Sequence, residues 1–225
     1  MTRLSLVSYN VHKAVGFDRR RDPARVLAVL NEIGADVALL QEADRRLGPR
    51  PAAIPRFLVE QETDYRPAPV ARSEVSLGWH GNAILVRGGL TVDEAGRIEL
   101  PGLEPRGAVW VRIGGVTLVG THLGLLRRSR RQQMQRICEH LGDALPRTVV
   151  AGDFNEWATV RGYEPFAREM TVVTPGPSYP AMRPIGALDG FAHGAGVRLS
   201  RAAVAAGRLA RHASDHLPVV ATVEA

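Results

Sequence analysis

The feature that most constrains this chain is a short apolar run that stops abruptly on polar side chains able to bind metals. Residues 149–155, VVAGDFN, begin with β-branched residues typical of a buried strand and then reach Asp153 and Asn155. Side chains two positions apart in a strand point to the same side, so these two can reach one point if the extended conformation continues that far. The alternative is a strand that ends in a polar turn, because Gly, Asp and Asn are ordinary turn residues.

The same pattern occurs in five further segments of the chain. The runs LSLVSY, DVALLQ and VTLVGT reach Asn10, Glu42 and His122, IGAL meets Asp189, and LPVVATV directly follows Asp215 and His216. An isolated ionised carboxylate is costly to remove from water, so each of these groups requires a partner or a metal ion. One such ending predicts only a turn, whereas six of them predict a shared site at the ends of core strands.

Size and composition indicate an ordinary globular protein. With 225 residues, of which 45% are hydrophobic and 23% charged, the chain is long enough to bury a core as one domain without disulfides or structural metal. Cys138 is the only cysteine, which excludes an intrachain disulfide and a cysteine-cluster metal site. The N-terminal MTRLSLVSYNV has too short an apolar run for a signal peptide, and no stretch approaches a membrane span. We therefore expect a cytoplasmic, monomeric protein without a transmembrane segment.

The formal net charge of +6 raises the question of nucleic-acid binding. Lys13 is the only lysine and every other basic residue is arginine, which indicates a codon bias more than a selected phosphate-binding surface. The densest basic run, RRSRRQQMQR at 127–136, opens a predicted helix whose arginines lie mostly on the solvent face. The inward stripe of that helix is predicted to consist of Met134, Ile137, Leu141 and Leu145. A nucleic-acid or anionic-lipid contact is the alternative for the arginines.

Predicted strands outnumber predicted helices. Helices are predicted from Pro23 to just before Gly34, near Phe57, and over 128–143 and 163–169. Strands are predicted at LSLVSYN, DVALLQE, NAILVR, AVWVRI, VTLVGTH and TVVAGDF, and near IGALDGFA, VRLSRAAVA and LPVVATV. Long apolar runs beside hairpins predict mixed sheets covered by a few helices, either as an α+β fold or as a layered α/β sandwich.

The residue types at the strand ends narrow the chemistry. Oxygen donors suit Mg²⁺ or Mn²⁺, and the chain offers them at Asn10, Glu42, Asp153, Asn155 and Asp215. Such metals act on phosphate esters by neutralising charge and positioning the phosphorus that is attacked. The two histidines of the pattern, at 122 and 216, can supply protons or donate hydrogen bonds to a phosphoryl oxygen.

These segments resemble the endonuclease/exonuclease/phosphatase superfamily, which includes pancreatic deoxyribonuclease, exonuclease III-like repair nucleases, neutral sphingomyelinases and inositol polyphosphate 5-phosphatases. The matching motifs are SYNVH, ALLQE, GNAILVR, GTHLG, AGDFN, YPAMRPIGALDG and SDHLPV, which follow the family's order from residue 8 to 219. SYNVHKAVG further resembles a small bacterial subgroup. The resemblance implies an α/β fold, namely a four-layer α/β/β/α sandwich with two mixed β-sheets. It implies a single domain over 1–225, with the site at one edge of the paired sheets.

The resemblance also implies a role for each motif residue. Glu42 would be the central metal ligand, with Asn10 beside it and Asp215 as a further ligand, for Mg²⁺ or Mn²⁺. Asp153 would position or deprotonate the attacking water, and Asn155 would hold that water or a phosphate oxygen.

The remaining roles fall to histidines and to substrate contacts. His216 would stabilise the transition state while Asp189 holds its imidazole in the required tautomer. His122 would protonate the leaving oxygen, as in the deoxyribonuclease and sphingomyelinase branches. Substrate contacts are implied for Arg106, Asn82 and His12. For Arg106 a surface arginine is the alternative, and for Asn82 a structural role.

The sequence thus predicts a metal-dependent phosphoric ester hydrolase, most simply a phosphodiesterase acting on a small or lipid phosphodiester through in-line attack of water. A DNA endonuclease or exonuclease is the alternative. The expected partner is a phosphate-ester substrate, with nucleic acid and a peripheral lipid surface as further candidates.

Three other interpretations are disfavoured. His212 and His216 have the i, i+4 spacing of a helical zinc pair, but the run LPVV follows directly and disfavours a helix. A nucleic-acid-binding module would interleave aromatic with basic residues, and aromatics are only 5% of the chain. A catalytically inactive family member is disfavoured because every motif position is filled.

Overall fold

The computed structural model describes residues 2–45, 49–158 and 161–225, and there the chain forms two six-stranded mixed sheets. The first sheet contains β1 (Arg3–Asn10), β2 (Val37–Gln41), β3 (Tyr65–Pro67), β4 (Ala83–Arg87), β11 (Arg198–Val204) and β12 (Val219–Glu224). Its spatial order is β11-β12-β1-β2-β4-β3. The second sheet contains β5 (Glu94–Leu100), β6 (Arg106–Ile113), β7 (Val116–His122), β8 (Thr148–Asp153), β9 (Thr171–Val173) and β10 (Asp189–His193). Its spatial order is β5-β6-β7-β8-β10-β9.

Helices cover the outer faces of both sheets. They are α1 (Pro23–Ile33), α2 (Arg56–Glu62), α3 (Arg127–Leu141), α4 (Glu164–Glu169) and α5 (Arg208–Ala213). Helix α1 begins and ends as its sequence predicts, because the Asp22 side chain accepts a hydrogen bond from the Arg25 amide and Gly34 adopts the left-handed conformation. None of the helices in the described ranges is long and apolar enough to cross a membrane.

Successive residues of the central strands belong to different hydrophobic cores. Leu6 and Leu39 lie in the core between the two sheets, whereas Val7 and Leu40 pack under α1 on the outer face of the first sheet. The second sheet repeats this arrangement, with Leu118 and Val149 facing inward and Val119 and Val150 packing with Met134 and Ile137 of α3. Strands buried on both faces need continuous rather than alternating apolar runs. The four-layer α/β/β/α sandwich predicted from the sequence is therefore confirmed.

Three strands escaped the sequence prediction, and each lies at the edge of a sheet or pairs only briefly. Strand β5 reads EAGRIEL and buries only alternate residues at its end, so it lacks the continuous apolar signal of the central strands. Strands β3 and β9 contain three residues each, which is too short for periodicity to be detected.

The structure departs from one expectation about charged residues and agrees with another. Arg130 does not face solvent with its neighbours in α3, because its side chain is 7% exposed and lies 2.8 Å from the buried Glu156 carboxylate. Because Glu156 belongs to a loop after β8, the helical pattern alone could not reveal this partner. His212 lies in α5, a helix that the sequence did not predict, but this helix ends at Ala213. His212 and His216 therefore do not share a helix, as expected when the zinc pair was disfavoured.

Strand direction places the polar residues at one edge of the sandwich. Strands β1 and β2 are parallel, as are β7 and β8, so Asn10, Glu42, His122 and Asp153 all lie at or just beyond carboxyl ends. Strands β10 and β12 run antiparallel to these, which brings the start of each to the same edge. In the backbone register Asp153 pairs with His122 on one side and with Asp189 on the other.

Candidate active site

The Asp153 carboxylate lies at the centre of the site and is almost completely buried, with 2% of its surface exposed. Its Oδ2 atom accepts a hydrogen bond from Asn10 Nδ2 at 3.0 Å, and its Oδ1 atom accepts one from the Asn155 amide at 2.9 Å. Burial raises the pKa of Asp153 and the nearby Asp189 raises it further, whereas His216 and the two hydrogen bonds lower it. The net pKa lies well above the ordinary value, as suits a group that accepts a proton near neutral pH.

Asn155 does not continue the strand beyond Asp153. The Asp153 side chain caps the Asn155 amide, and Asn155 takes a left-handed backbone conformation with a φ of 52°. Of the two alternatives for this segment, the structure therefore has the polar turn, and the two side chains do not share one side of an extended strand. Asn155 Nδ2 instead donates to the carbonyl of Leu123 at 2.8 Å, which ties this turn to the segment after His122.

His216 and Asp189 form a buried pair beside Asp153. His216 Nδ1 lies 2.8 Å from Asp189 Oδ2, and the same oxygen accepts a hydrogen bond from Ser178 Oγ at 2.6 Å. His216 Nε2 lies 3.7 Å from Asp153 Oδ2, so the ring stands between two carboxylates. Burial opposes charge on the imidazole, but the charge and hydrogen bond of Asp189, with Asp153 and Asp215, raise the pKa of His216 to about 10.

His122 approaches Asp153 from the neighbouring strand. Its Nε2 atom lies 3.4 Å from Asp153 Oδ2, and the residue is only 5% exposed. Asn10, His122 and His216 thus surround one carboxylate oxygen. The sequence signals for these residues lie on separate strands, and the fold brings them together.

Glu42 follows β2 and contacts a cation of the chain itself, because Lys13 Nζ lies against its Oε2 atom. The two residues line a cavity of about 230 Å³ that also reaches His122 and Arg106. Arg106 is 7% exposed and bonds Glu104 Oε2 through Nη2 at 2.9 Å. Its buried Nε atom has no hydrogen-bond partner among the described residues, which fits a group that completes its bonding with a ligand.

Three further residues were implied as a ligand or as substrate contacts, namely Asp215, His12 and Asn82. Asp215 Oδ1 lies 3.8 Å from His12 Nδ1, and the Asp215 side chain is 38% exposed. His12 lies in a short 3₁₀ turn beyond β1 rather than on the strand, and its Nδ1 atom is 3.0 Å from the Val15 carbonyl. Asn82 is fully buried and donates through Nδ2 to the Gly107 carbonyl at 2.8 Å, which links β4 to β6.

Several residues at this edge were assigned no role from the sequence. Ser178 orients Asp189, and the Tyr179 ring lies 4.8 Å from the His216 imidazole, centroid to centroid. Trp157, which is 59% exposed, packs edge-on against Tyr179 at 6.1 Å. The available signals were the SYP triplet before the Asp189 segment and the tryptophan in GDFNEW. An aromatic surface therefore runs from solvent to the His216 imidazole.

The donor set fits a hard divalent cation. Three ligand-type groups, on Asp153, Asp189 and His216, lie within 4.8 Å of one another, but the Asp189–His216 hydrogen bond already occupies two of them. Glu42 presents its carboxylate to an ammonium, which marks it as a place where positive charge is stabilised. Carboxylates with a neighbouring amide are the oxygen donors that Mg²⁺ and Mn²⁺ prefer.

Comparison with known proteins identifies the family to which this chain belongs. The model of the endonuclease/exonuclease/phosphatase family matches residues 7–216. The chain belongs to this family. Members are metal-dependent hydrolases of phosphate esters, so this endonuclease/exonuclease/phosphatase protein is a phosphoric ester hydrolase, and the prediction of that family and class is confirmed.

Similar proteins cover nearly the whole chain. The uncharacterized protein YbhP of Escherichia coli is 26% identical over 246 aligned positions, which span 97% of this chain and 95% of that protein. A mannosyl-6-phosphatase of Bacteroides thetaiotaomicron superposes with a TM-score of 0.77 at 18% identity, covering 99% of this chain and all of the other. D. rerio TDP2 in complex with a single-strand DNA product superposes with a TM-score of 0.72 at 19% identity, and both chains are fully covered. At these identities the structural likeness concerns the fold.

Proposed function

We propose that this protein is a Mg²⁺- or Mn²⁺-dependent phosphodiesterase that hydrolyses a small or lipid phosphodiester by in-line attack of water. The observation that carries the proposal is the buried Asp153 carboxylate, which is surrounded by Asn10, His122 and His216. A buried carboxylate with a raised pKa and hydrogen-bond donors on two sides is suited to hold a water molecule and accept its proton.

Glu42 is the proposed central ligand of the metal, with Asn10 and Asp215 as further ligands. A bound divalent cation would supply charge neutralisation at the phosphoryl group. Asn10 donates to Asp153 through Nδ2 and accepts from the His12 amide through Oδ1 at 3.1 Å, so its side chain is held in one orientation. These two hydrogen bonds of Asn10 support a preorganised site at this end of β1.

The remaining groups suit the phosphoryl oxygens and the leaving group. His216, kept protonated by Asp189, would donate from Nε2 to a non-bridging oxygen as negative charge develops. His122 would protonate the leaving oxygen, and Arg106 would contact the phosphate from the cavity beside Glu42. Asn155 would position the segment after His122 through its bond to Leu123.

The size of the cavity beside Glu42 favours a small substrate group. Its volume of about 230 Å³ suits a head group or a small phosphorylated molecule better than a nucleic-acid strand. DNA remains the second candidate because a larger groove of about 850 Å³, lined by four arginines, runs along α3 and α4. Those arginines are Arg127, Arg128, Arg131 and Arg168.

A substrate panel on the purified protein tests the proposal. We expect bis(p-nitrophenyl) phosphate to be cleaved with Mg²⁺ or Mn²⁺ and not in excess EDTA, and p-nitrophenyl phosphate, a monoester, to be cleaved more slowly. Plasmid DNA, an abasic oligonucleotide, phospholipid vesicles and inositol phosphates would then be compared under the same conditions. Faster turnover of the monoester would contradict the diesterase, and preferred cleavage of DNA would favour the second candidate.

A further inference from the structure

Lys13 and Glu42 are held together by their backbones as well as by their charges. The Lys13 amide donates to the Glu42 carbonyl at 3.1 Å, and the Lys13 ammonium contacts the Glu42 carboxylate. Both side chains are partly buried, with 24% of Lys13 and 13% of Glu42 exposed. The contact therefore belongs to the fold and is not a chance meeting of two flexible surface side chains.

The two backbones that meet here are strained. His12, Lys13 and Ala14 have φ angles of 44°, 56° and 59°, and Glu42 across from them has a φ of 52°. Residues other than glycine rarely enter this left-handed region, and three in succession are unusual. Such strain persists only where surrounding bonds enforce it and commonly accompanies functional sites. One enforcing bond is the His12 amide to Asn10 Oδ1, within the site itself.

The residue type at position 13 is also informative. The chain contains 29 basic residues, and Lys13 is the single lysine among them. An ammonium is a compact point charge on a flexible stem, whereas a guanidinium is a broad, planar group that prefers paired hydrogen bonds. A metal-sized positive charge at Glu42 therefore comes from the only side chain in this protein that can mimic a simple cation.

We propose that the Lys13 ammonium occupies the cation position at Glu42 when no divalent metal is bound, and that metal binding requires its displacement. This inference rests on the proposed metal-dependent function of the site. The ammonium compensates the charge of a carboxylate whose side chain is only 13% exposed. The cavity also presents Asp44 and Glu104, so the displaced ammonium moves among acidic neighbours. Lys13 thus sets how tightly the protein binds its metal.

The test is a Mn²⁺ titration of the full chain, with free Mn²⁺ measured by electron paramagnetic resonance and no substrate present. Removing one competing charge at this distance should tighten Mn²⁺ binding of Lys13→Gln by about tenfold. Arg136→Gln, which removes an equal charge from the exposed face of α3, serves as the matched control and should stay within about twofold of the original. Unchanged or weaker Mn²⁺ binding by Lys13→Gln would overturn the inference while leaving the metal site intact. No Mn²⁺ binding by the unmodified chain would overturn the proposed function as well.

A second measurement avoids substitution altogether. Because Lys13 is the only lysine of the sequence, its reductive methylation in the folded protein can be followed by mass spectrometry of the peptide that contains it. Saturating Mn²⁺ should separate the ammonium from Glu42 and increase its methylation rate severalfold. An equal or slower rate would contradict displacement, even if Lys13→Gln proved unable to fold.

Discussion

Asp153→Asn should stabilise the metal-free protein at alkaline pH while removing its activity. The substitution keeps the shape of the side chain and removes a charge from a position that is 2% exposed. At a solvated strand end the same change would hardly affect stability. At a buried position the same change should raise stability, because the folded original protein must keep an ionised carboxylate away from water.

The magnitude follows from the pKa of the buried group. Burial and Asp189 raise the pKa of Asp153 from 3.8 to about 7, which corresponds to on the order of 4 kcal/mol opposing ionisation in the folded state. Asparagine accepts one hydrogen bond where the carboxylate accepts two, from Asn10 and Asn155, and an unsatisfied donor costs about 1–3 kcal/mol. Above pH 8 the substitution should therefore yield a net stabilisation of roughly 2 kcal/mol.

The dependence on pH has a definite sign. A carboxyl group with a raised folded-state pKa contributes stability that is full below the unfolded pKa and is lost as pH rises through the folded pKa. The original protein should lose this contribution between about pH 4 and pH 7, whereas Asp153→Asn cannot. The stability of the variant relative to the original should thus increase by about 2–3 kcal/mol from pH 5 to pH 8.5.

Urea unfolding in EDTA at pH 5, 7 and 8.5, followed by circular dichroism, measures the effect. Asp143→Asn, at an exposed position after α3, is the matched control and should show little dependence on pH. Turnover of bis(p-nitrophenyl) phosphate by Asp153→Asn should fall by about 10²- to 10⁴-fold or more. If the variant were destabilised equally at all three pH values, ionisation of Asp153 would not lower the stability of the folded protein, and the reasoning would be refuted.

Further predictions concern the other charged groups. Asp189→Asn and His216→Ala should reduce turnover by similar amounts, and the double variant should be little worse than either; strict multiplication of the two losses would indicate independent action. Because Asp189 raises the pKa of His216, Asp189→Asn should also shift the alkaline limb of the pH profile to lower pH. Glu42→Gln should weaken Mn²⁺ binding in a calorimetric titration, and full activity in EDTA would contradict a metal requirement altogether. Arg130→Gln should destabilise the fold by about 3–5 kcal/mol in urea unfolding, since Glu156 would stay buried without its partner. Gln at Arg127, Arg128 and Arg131, three of the four exposed arginines of α3, should leave stability and small-ester turnover nearly unchanged. The same change should flatten the salt dependence of binding only if DNA is the substrate.

Local chemistry in the sequence was enough to predict much of the fold. Apolar runs such as DVALLQ and VTLVGT had to be strands buried on both faces, and α1 has a cap at each end that depends only on neighbouring residues. The polar residues that end these runs also predicted one shared site, because groups of this kind cannot be buried singly. Edge strands such as β5 were missed because a strand with one exposed face and a charged sequence has no continuous apolar run.

The partners of the charged side chains were decided only by the tertiary structure. Arg130 has the periodicity of a solvent-facing helix residue, and only the return of the loop after β8 supplies Glu156 as its buried partner. Asp153 and Asp189 are 36 positions apart, and the antiparallel pairing of β8 with β10 makes them neighbours whose charges raise a pKa. Lys13 stands out in the sequence as the single lysine, but its contact with Glu42 depends on two strained turns. Periodicity and capping act over a few residues of chain, whereas charge interactions depend on distance in space, so the sequence determines which residues are available and the fold determines which of them meet.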